Sequence, residues 1–508
     1  MDSNNKKGSL IRWMSWAIIA VFAVSVIFIY RLYFKKAVFT GKSKTVAVLP
    51  FANLGTDSSE EYLNDGMTEE IINQLSKING LRVAPRSSVM KYKGNEKNIS
   101  EIADTLQVAA VLTGGIMKSG NKLIIKASLL DVGSGKTIWS ESLDRNVNDI
   151  FSIQTEVAHL IADKLNMEIL NDDINNMDRR STQNLEAYDK FLQGLYFWNK
   201  GGSASFKKGI TFFNQAIQLD SGYAKAYSGL ADCYSALGYG SYEKPADVFL
   251  KAELAANKAL QLDSTLADPH TSLGYIKLYY YWDWDGARQE FLTAIRLNPG
   301  YIMAYDSYCY YLTAMEKFPE AREVIEKAVQ LDPLSARMNT DLGFNLYYLH
   351  QYDQAISALK TSLALDPNYG LGRLWLGRSY QEKKMYKEAL AEYNRILKKN
   401  TNWSVALAAV GYVYGITGQK KEAEKILDTM IRLSSSRYIT PYGVALVYAA
   451  LNDKENAFKC LDQAYADRAN WLVWLKLDPR WRLLYDDKRY AALVERVHLP
   501  KTGKFIRQ

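Results

Sequence analysis

Apolar residues recur along this chain with two different periods. Beyond residue 186 the period is helical. Leu219, Leu262, Leu297, Leu331, Leu365 and Leu433 each close an amphipathic stretch, mostly about 34 residues after the last, with Lys399 in the slot before Leu433. Asp263, Asn298, Asp332 and Asp366 follow four of these leucines, and Pro299, Pro333 and Pro367 come next in three cases. Polar residues and proline placed there stop a helix and turn the chain. Small residues sit at matching places in the first helix of each unit (Ala231, Gly274, Cys309, Gly343, Gly377, Gly411, Ala445) and in the second (Ala287, Ala321, Ala355, Ala389, Ala423, Ala457). Two helices that cross closely need small residues at the crossing. The pattern predicts about eight helix pairs over 186–467, of tetratricopeptide type.

Residues 44–168 alternate strand and helix signals instead. Thr45–Phe51 reads as a buried strand and Glu60–Ile78 as a helix with Leu63, Met67, Ile71, Ile72 and Leu75 on one face. Leu81–Ala84 predicts a second strand. Ser100 is placed as the cap of a second helix, and Val108–Thr113 predicts a third strand that breaks at Gly114-Gly115. Leu123–Asp131 and Thr137–Leu143 predict a hairpin around Gly133-Ser-Gly-Lys136, and a closing helix starts at Asp149. A small α/β domain is expected, joined by a linker (169–185) to the helical array.

A single apolar run, Trp13–Tyr30, lies between Arg12 and Arg31, and Leu32–Phe34 extend it. With aromatic residues at both ends, 13–34 is predicted to be an uncleaved transmembrane helix behind a short tail, 1–12. The net charge of +8 is concentrated there: Lys6, Lys7, Arg12, Arg31, Lys35, Lys36, Lys42 and Lys44 face only Asp2. The remainder is close to neutral and lacks the charge that follows a phosphate backbone, so no nucleic-acid partner is expected.

No constellation for covalent chemistry stands out. Gly133-Ser-Gly-Lys-Thr137 resembles the end of a phosphate-binding loop, but Leu130 occupies the place of its first glycine and strand continues afterwards. His159, His270, His350 and His498 stand outside any catalytic motif, and Cys233, Cys309 and Cys460 have no metal or redox spacing. The expectation is no catalytic residues, no cofactor, no metal and no small-molecule substrate.

Lys44-Thr-Val-Ala-Val-Leu-Pro-Phe-Ala-Asn-Leu54, Glu61-Tyr-Leu-Asn-Asp-Gly-Met-Thr-Glu69, Gly80–Ser88, Val111-Leu-Thr-Gly-Gly115 and Ile138-Trp139 with Asp149-Ile-Phe resemble the TolB amino-terminal-like domain. In that family tetratricopeptide repeats follow, and Trp471–Pro479 with Leu499-Pro500 is typical of it. Relatives, including CadC-like regulators and repeat-containing adenylate cyclases, often carry a cytoplasmic DNA-binding or cyclase domain before the membrane helix and place the rest in the periplasm. Only about a dozen residues precede the apolar run here, so neither output domain is expected. The resemblance implies a single-pass bacterial inner-membrane protein with its soluble part periplasmic, although the charge bias around the run weakly favours the cytoplasmic face.

The fold class expected is therefore an amino-terminal transmembrane helix, a TolB-like α/β domain and an all-α superhelical solenoid, ended by a capping segment (468–500) whose Trp471, Trp474 and Trp481 seal the stack. Residues just after the small positions should line the concave groove: Asp232, Tyr275, Tyr310, Phe344, Arg378 and Tyr412, with Tyr279, Tyr347 and Tyr348 one turn on. Such rings suit an extended or helical peptide. A Lys/Asn carboxylate clamp is missing, because Thr271, Asp306, Thr340 and Leu374 hold those slots. The reading is a membrane-anchored, non-enzymatic scaffold or sensor for a protein or peptide partner. The alternative is a signalling subunit acting in trans on transcription or cyclic-nucleotide synthesis.

Overall fold

The computed structural model describes residues 44–55, 60–78, 80–94, 98–167 and 181–500 of the 508. The expected tail 1–12 and membrane helix 13–34 lie outside them, as does most of the linker. Among the described residues no helix is long and apolar enough to cross a membrane.

Strands β1 (Thr45–Val48), β2 (Ala52–Asn53), β3 (Arg82–Val83), β4 (Ala110–Ser119), β5 (Lys122–Asp131) and β6 (Lys136–Asn146) form one mixed sheet. Its order is β3-β1-β4-β5-β6, with β2 also beside β4. The early strands pair in parallel and the β4-β5-β6 meander antiparallel. Helices α1 (Glu61–Leu75), α2 (Ile99–Leu106) and α3 (Ile150–Lys164) complete the layer. On β5, Leu123, Ile125, Ala127 and Leu129 are buried while Lys122 and Lys126 are exposed, the alternation of a sheet covered on one face. The Gly133–Gly135 segment is the β5–β6 turn.

Two local expectations change. Gly114 and Gly115 do not end β4, which continues to Ser119. A Cβ on Gly114 would lie 2.3 Å from the Lys126 carbonyl oxygen, and one on Gly115 2.9 Å from that of Ala52, so glycine here permits close packing. Helix α2 is capped by Asn98, whose side chain accepts from the Ser100 amide, with Ser100 already inside the helix.

Eight helix hairpins follow among the described residues: Leu185–Lys200 with Ser203–Leu219, Ala224–Tyr239 with Pro245–Leu262, Asp268–Ile276 with Trp284–Leu297, Ile302–Ala314 with Phe318–Leu331, Ala336–Tyr348 with Tyr352–Leu365, Gly370–Glu382 with Tyr386–Lys399, Ser404–Ile416 with Lys420–Ser434, and Pro441–Ala450 with Lys454–Ala466. Glycine marks the crossings. A Cβ on Gly274 would stand 2.4 Å from Phe291, and one on Gly377 2.3 Å from Tyr393. The π-helical stretch Lys277–Tyr281 interrupts the third hairpin before Trp282 takes a left-handed conformation.

The α/β domain is fused to the array. Gly66 on α1 abuts Leu192, Tyr62 donates to Asp189 at 2.5 Å, and Gln154 on α3 donates to Tyr188 at 2.6 Å. One apolar cluster runs from Val46 through the array to Leu499. A second contact reaches across: the Ser87 and Ser88 hydroxyls both donate to the Asp332 carboxylate, between the fourth and fifth hairpins.

Candidate functional site

The concave face is not open to a ligand where the sequence predicts it. Tyr275, Tyr279, Tyr310, Phe344, Tyr347, Tyr348, Arg378 and Tyr412 are all buried, and Asp232 is half-buried. What covers most of them is residues 470–484 of the same chain. Trp474 stacks on Tyr348 with ring centroids 5.3 Å apart, and meets Phe344 edge-on at 5.1 Å and Tyr310 and Tyr279 at 6.4 Å. Arg378 is sandwiched between Trp375 and Trp471, its guanidinium 4.4 and 4.6 Å from the two rings. Burial, and then the nearby Arg480, pull the Arg378 pKa below its ordinary value. Tyr412 donates to the Arg480 carbonyl at 3.1 Å.

The inward direction of these side chains agrees with the sequence pattern, but their free surface does not. The tryptophan-rich segment fills the groove, and its end and the residues after it also pack on the last hairpin, Trp481 against Tyr442 and Arg489 over Phe458. Its polar anchors are buried with it. Asp478 and Arg480 pair at 2.5 Å, Tyr442 donates to Asp478 at 2.9 Å, and the Trp481 indole donates to Tyr442 at 2.7 Å. Burial raises the Asp478 carboxyl, yet Arg480 overcomes this and holds it below its ordinary range. At the near end, Asn470 donates to the Tyr239 carbonyl at 2.8 Å and the Trp471 indole to Ser241 at 3.2 Å. Residues about 230 positions apart are thereby joined.

The open concavity lies elsewhere. A cleft of about 2350 Å³ separates the α/β domain from the inner edge of hairpins one to six. The α/β wall carries Glu69, Glu70, Arg86 and Lys91; the repeat wall carries the turns after Leu262, Leu297, Leu331 and Leu365. Trp403 and Trp471 also line it, so the groove-filling segment contributes to the cleft as well. Arg86 pairs with Glu69 at 3.1 Å, and Lys225 with Glu70 at 3.5 Å. The cleft exceeds the roughly 300–1,000 Å³ of typical small-molecule sites. It has room for a length of chain.

Of the sequence-predicted site residues, Asp232 and Tyr275 reach this cleft, and Tyr310 borders its floor. The Ser272 hydroxyl donates to Asp232 at 2.6 Å. Burial, reinforced by the neighbouring Asp268 carboxylate, pushes the Asp232 pKa up to about 8. Ser228, Ser235 and Asp268 were not singled out by sequence, and Thr271 only as a slot without a carboxylate clamp. Their signal is a polar stripe, Ser228-Asp232-Ser235, at helical spacing on an inner face. Among the described residues no group of three or more His, Cys, Asp or Glu side chains is placed to hold a metal ion.

Comparison with known proteins fits this division. Residues 42–160 match the family model of the HilA/YgeH-like transcriptional regulator second domain, and residues 346–411 match that of the tetratricopeptide repeat. The sequence had pointed to a TolB-like domain over the first of these stretches. A Rhizobium meliloti protein described as "Putative adenylate cyclase 3" is 32% identical over 187 residues, covering 37% of this chain and 32% of that one. Transcriptional regulator HilA of Salmonella typhimurium is 23% identical over 314 residues, covering 60% and 54%. The chain thus spans about a third and about half of these two relatives. Among solved structures, YrrB, described as a TPR protein with an unusual peptide-binding site, is 21% identical with a TM-score of 0.26, covering 39% of this chain and 96% of that one. PilF of Pseudomonas aeruginosa is 20% identical with a TM-score of 0.30, covering 41% and 92%. The carboxy-terminal part of this chain is a tetratricopeptide-repeat array preceded by a small mixed-sheet domain.

Proposed function

We propose that this chain is a non-enzymatic interaction module that binds an extended protein or peptide segment in the cleft between its α/β domain and its repeat array. One observation carries the reading. The aromatic groove, where a peptide would ordinarily lie in such an array, is filled by residues 470–484, while a cleft of about 2350 Å³ stands open between the two domains. An array of helix pairs supplies a rigid wall, and a rigid wall lowers the ordering cost of binding.

Anchoring at an inner membrane by residues 13–34, with a TolB-like domain and the array on the periplasmic side, remains part of this reading. It rests on the apolar run and the family resemblance. A reporter active on only one side of the membrane, fused after Gln508, tests it. The relatives named for cyclase and transcriptional-regulator activity favour a second reading, in which cleft occupancy is a signal passed in trans to such an output.

The direct test of the binding reading is peptide selection. A displayed random-peptide library is panned on the full chain, and winners are re-tested on Ala236→Trp, which places an indole in the cleft, and on Leu254→Ser on the outer face. Peptides lost with Ala236→Trp and retained with Leu254→Ser support the cleft. Winners indifferent to Ala236→Trp overturn it.

A further inference from the structure

Two helices present a polar surface to the cleft that the fold itself leaves short of positive charge. Ser228, Asp232 and Ser235 lie on one face of the second hairpin's first helix; Asp268, Thr271 and Ser272 lie on the first helix of the third. Asp232 and Asp268 are both half-buried and both border the cleft. Among the described residues neither has an ion-pair partner. Arg337, whose charge acts on Asp232, is committed to Asp306 at 2.7 Å and lies 3.9 Å from Asp341, so one cation already serves two buried carboxyls. Lys225, whose charge also acts on Asp268, pairs with Glu70, and Asp268 is hydrogen-bonded by Tyr301. Around the two carboxyls, the hydroxyls of Ser228, Ser235 and Thr271 have no hydrogen-bond partner, although these residues are only 6, 6 and 4% exposed.

Buried hydroxyls are costly unless something pairs with them, and carboxyls drawn partly out of water gain from a cation. Oxygen atoms of acids and hydroxyls can serve several N–H donors at once, which is what an ammonium or guanidinium group brings. On the cleft reading given above, we infer that the Asp232–Asp268 wall is a subsite for one cationic group of the bound segment, either a lysine or arginine side chain or a free amino terminus.

Capture of that group is coupled to proton release. Burial and Asp268 hold Asp232 near pKa 8, so at neutral pH it is mostly the neutral acid. The groups that face it are Asp268 and Ser272 from the third hairpin, Tyr301 from the following turn and Arg337 from the fifth hairpin. An arriving cation favours the carboxylate and expels the proton. Affinity then rises with pH, by up to about tenfold per unit below pH 8; above it, affinity for a lysine or arginine side chain levels off, while that for a free amino terminus falls as the amine loses its own proton.

The full chain is titrated calorimetrically with N-acetyl-lysinamide, N-acetyl-argininamide and alaninamide, with N-acetyl-norleucinamide as the neutral control. The first two carry the cation on a side chain and the third carries it as a free amine, so the preferred source is read directly. The expected result is saturable binding of at least one cationic probe but not of the control. Buffer-dependent heats should show up to one proton released at pH 7, and Asp232→Asn should weaken binding at least tenfold while keeping the Ser272 hydrogen bond and without lowering the melting temperature at that pH. No saturable binding of any cationic probe, or binding equal in Asp232→Asn, overturns the subsite. Selected peptides that require an open Ala236 position but ignore Asp232→Asn leave the cleft standing and the subsite refuted; peptides indifferent to both refute the cleft itself.

Discussion

Trp474 lies face to face with Tyr348, centroids 5.3 Å apart and planes 20° from parallel, and also meets the rings of Tyr279, Tyr310 and Phe344 on the inner face of the array. The array is therefore wound around its own carboxy-terminal segment. Trp474→Ala removes the indole from a fully packed site. It should cost about 3–5 kcal/mol, and Trp474→Phe clearly less, because part of the volume is refilled. Urea unfolding of the two variants measures the difference; equal, small losses would show that the segment is a loose lining.

Asp478 and Arg480 form an ion pair in that segment with both side chains 1% exposed. Removing one partner strands the other charge. Asp478→Asn should destabilise by about 3–5 kcal/mol, whereas Asp478→Leu combined with Arg480→Met should recover much of the loss. The sign with pH follows from the depressed Asp478 pKa: its contribution is present above the ordinary carboxylate range and disappears as acid protonates it. A double-mutant cycle by chemical unfolding checks both statements.

Close helix crossings make a separate prediction. A Cβ at Gly377 would stand 2.3 Å from a Tyr393 ring atom that is itself fully buried. Gly377→Ala should cost about 1–3 kcal/mol through overpacking. Gly133→Ala, in the β5–β6 turn with its nearest neighbour at 3.7 Å, should stay within roughly 0.5 kcal/mol. Thermal unfolding of the pair distinguishes a packing constraint from a general intolerance of substitution.

The repeat helices were legible because each hairpin packs on its immediate neighbours, so spacing alone carries the information. Gly377 and Ala389 fall where the period requires small residues. The fate of Trp474 was not legible in that way. Its partners Tyr279 and Tyr348 are distant in sequence, and no period links a ring in a repeat to a ring in the tail. The missing clue was complementarity: an aromatic inner face in the array and an aromatic, irregular segment after it are two halves of one core. Gly114 misled for the opposite reason, since a glycine reads as a strand breaker when its actual constraint is the Lys126 backbone of the adjacent strand. Asp232 stood out as a polar residue on an inner face, but the cleft it borders is closed on its far side by the α/β domain. Only the fold brings the two together.

Asp332 ties the α/β domain to the turn between the fourth and fifth hairpins by accepting from Ser87 and Ser88. Hydrogen bonds to a charged group contribute about 1.5–3 kcal/mol, so Asp332→Ala should release the Pro85–Tyr92 segment locally. Amide exchange there should accelerate about tenfold or more, with α1 and the first hairpin unchanged because Gly66 and Leu192 still interlock. Equal acceleration in α1 would mean that the two domains separate as one cooperative unit.

Asp232 also predicts how stability depends on pH without any ligand. Its folded pKa of about 8 lies above the ordinary 3.8, so between these values the folded chain holds a proton that the unfolded chain has lost. Stability from this group is complete below about pH 4, declines as pH rises, and is gone once pH passes 8. Asp232→Asn cannot ionise and does not suffer this decline. The variant should therefore gain stability relative to the parent steadily from pH 5 to pH 8, with no further gain above. Urea midpoints of the two proteins across that range give the result: a constant difference would mean that Asp232 is ionised in the fold at neutral pH, as a carboxylate already paired would be.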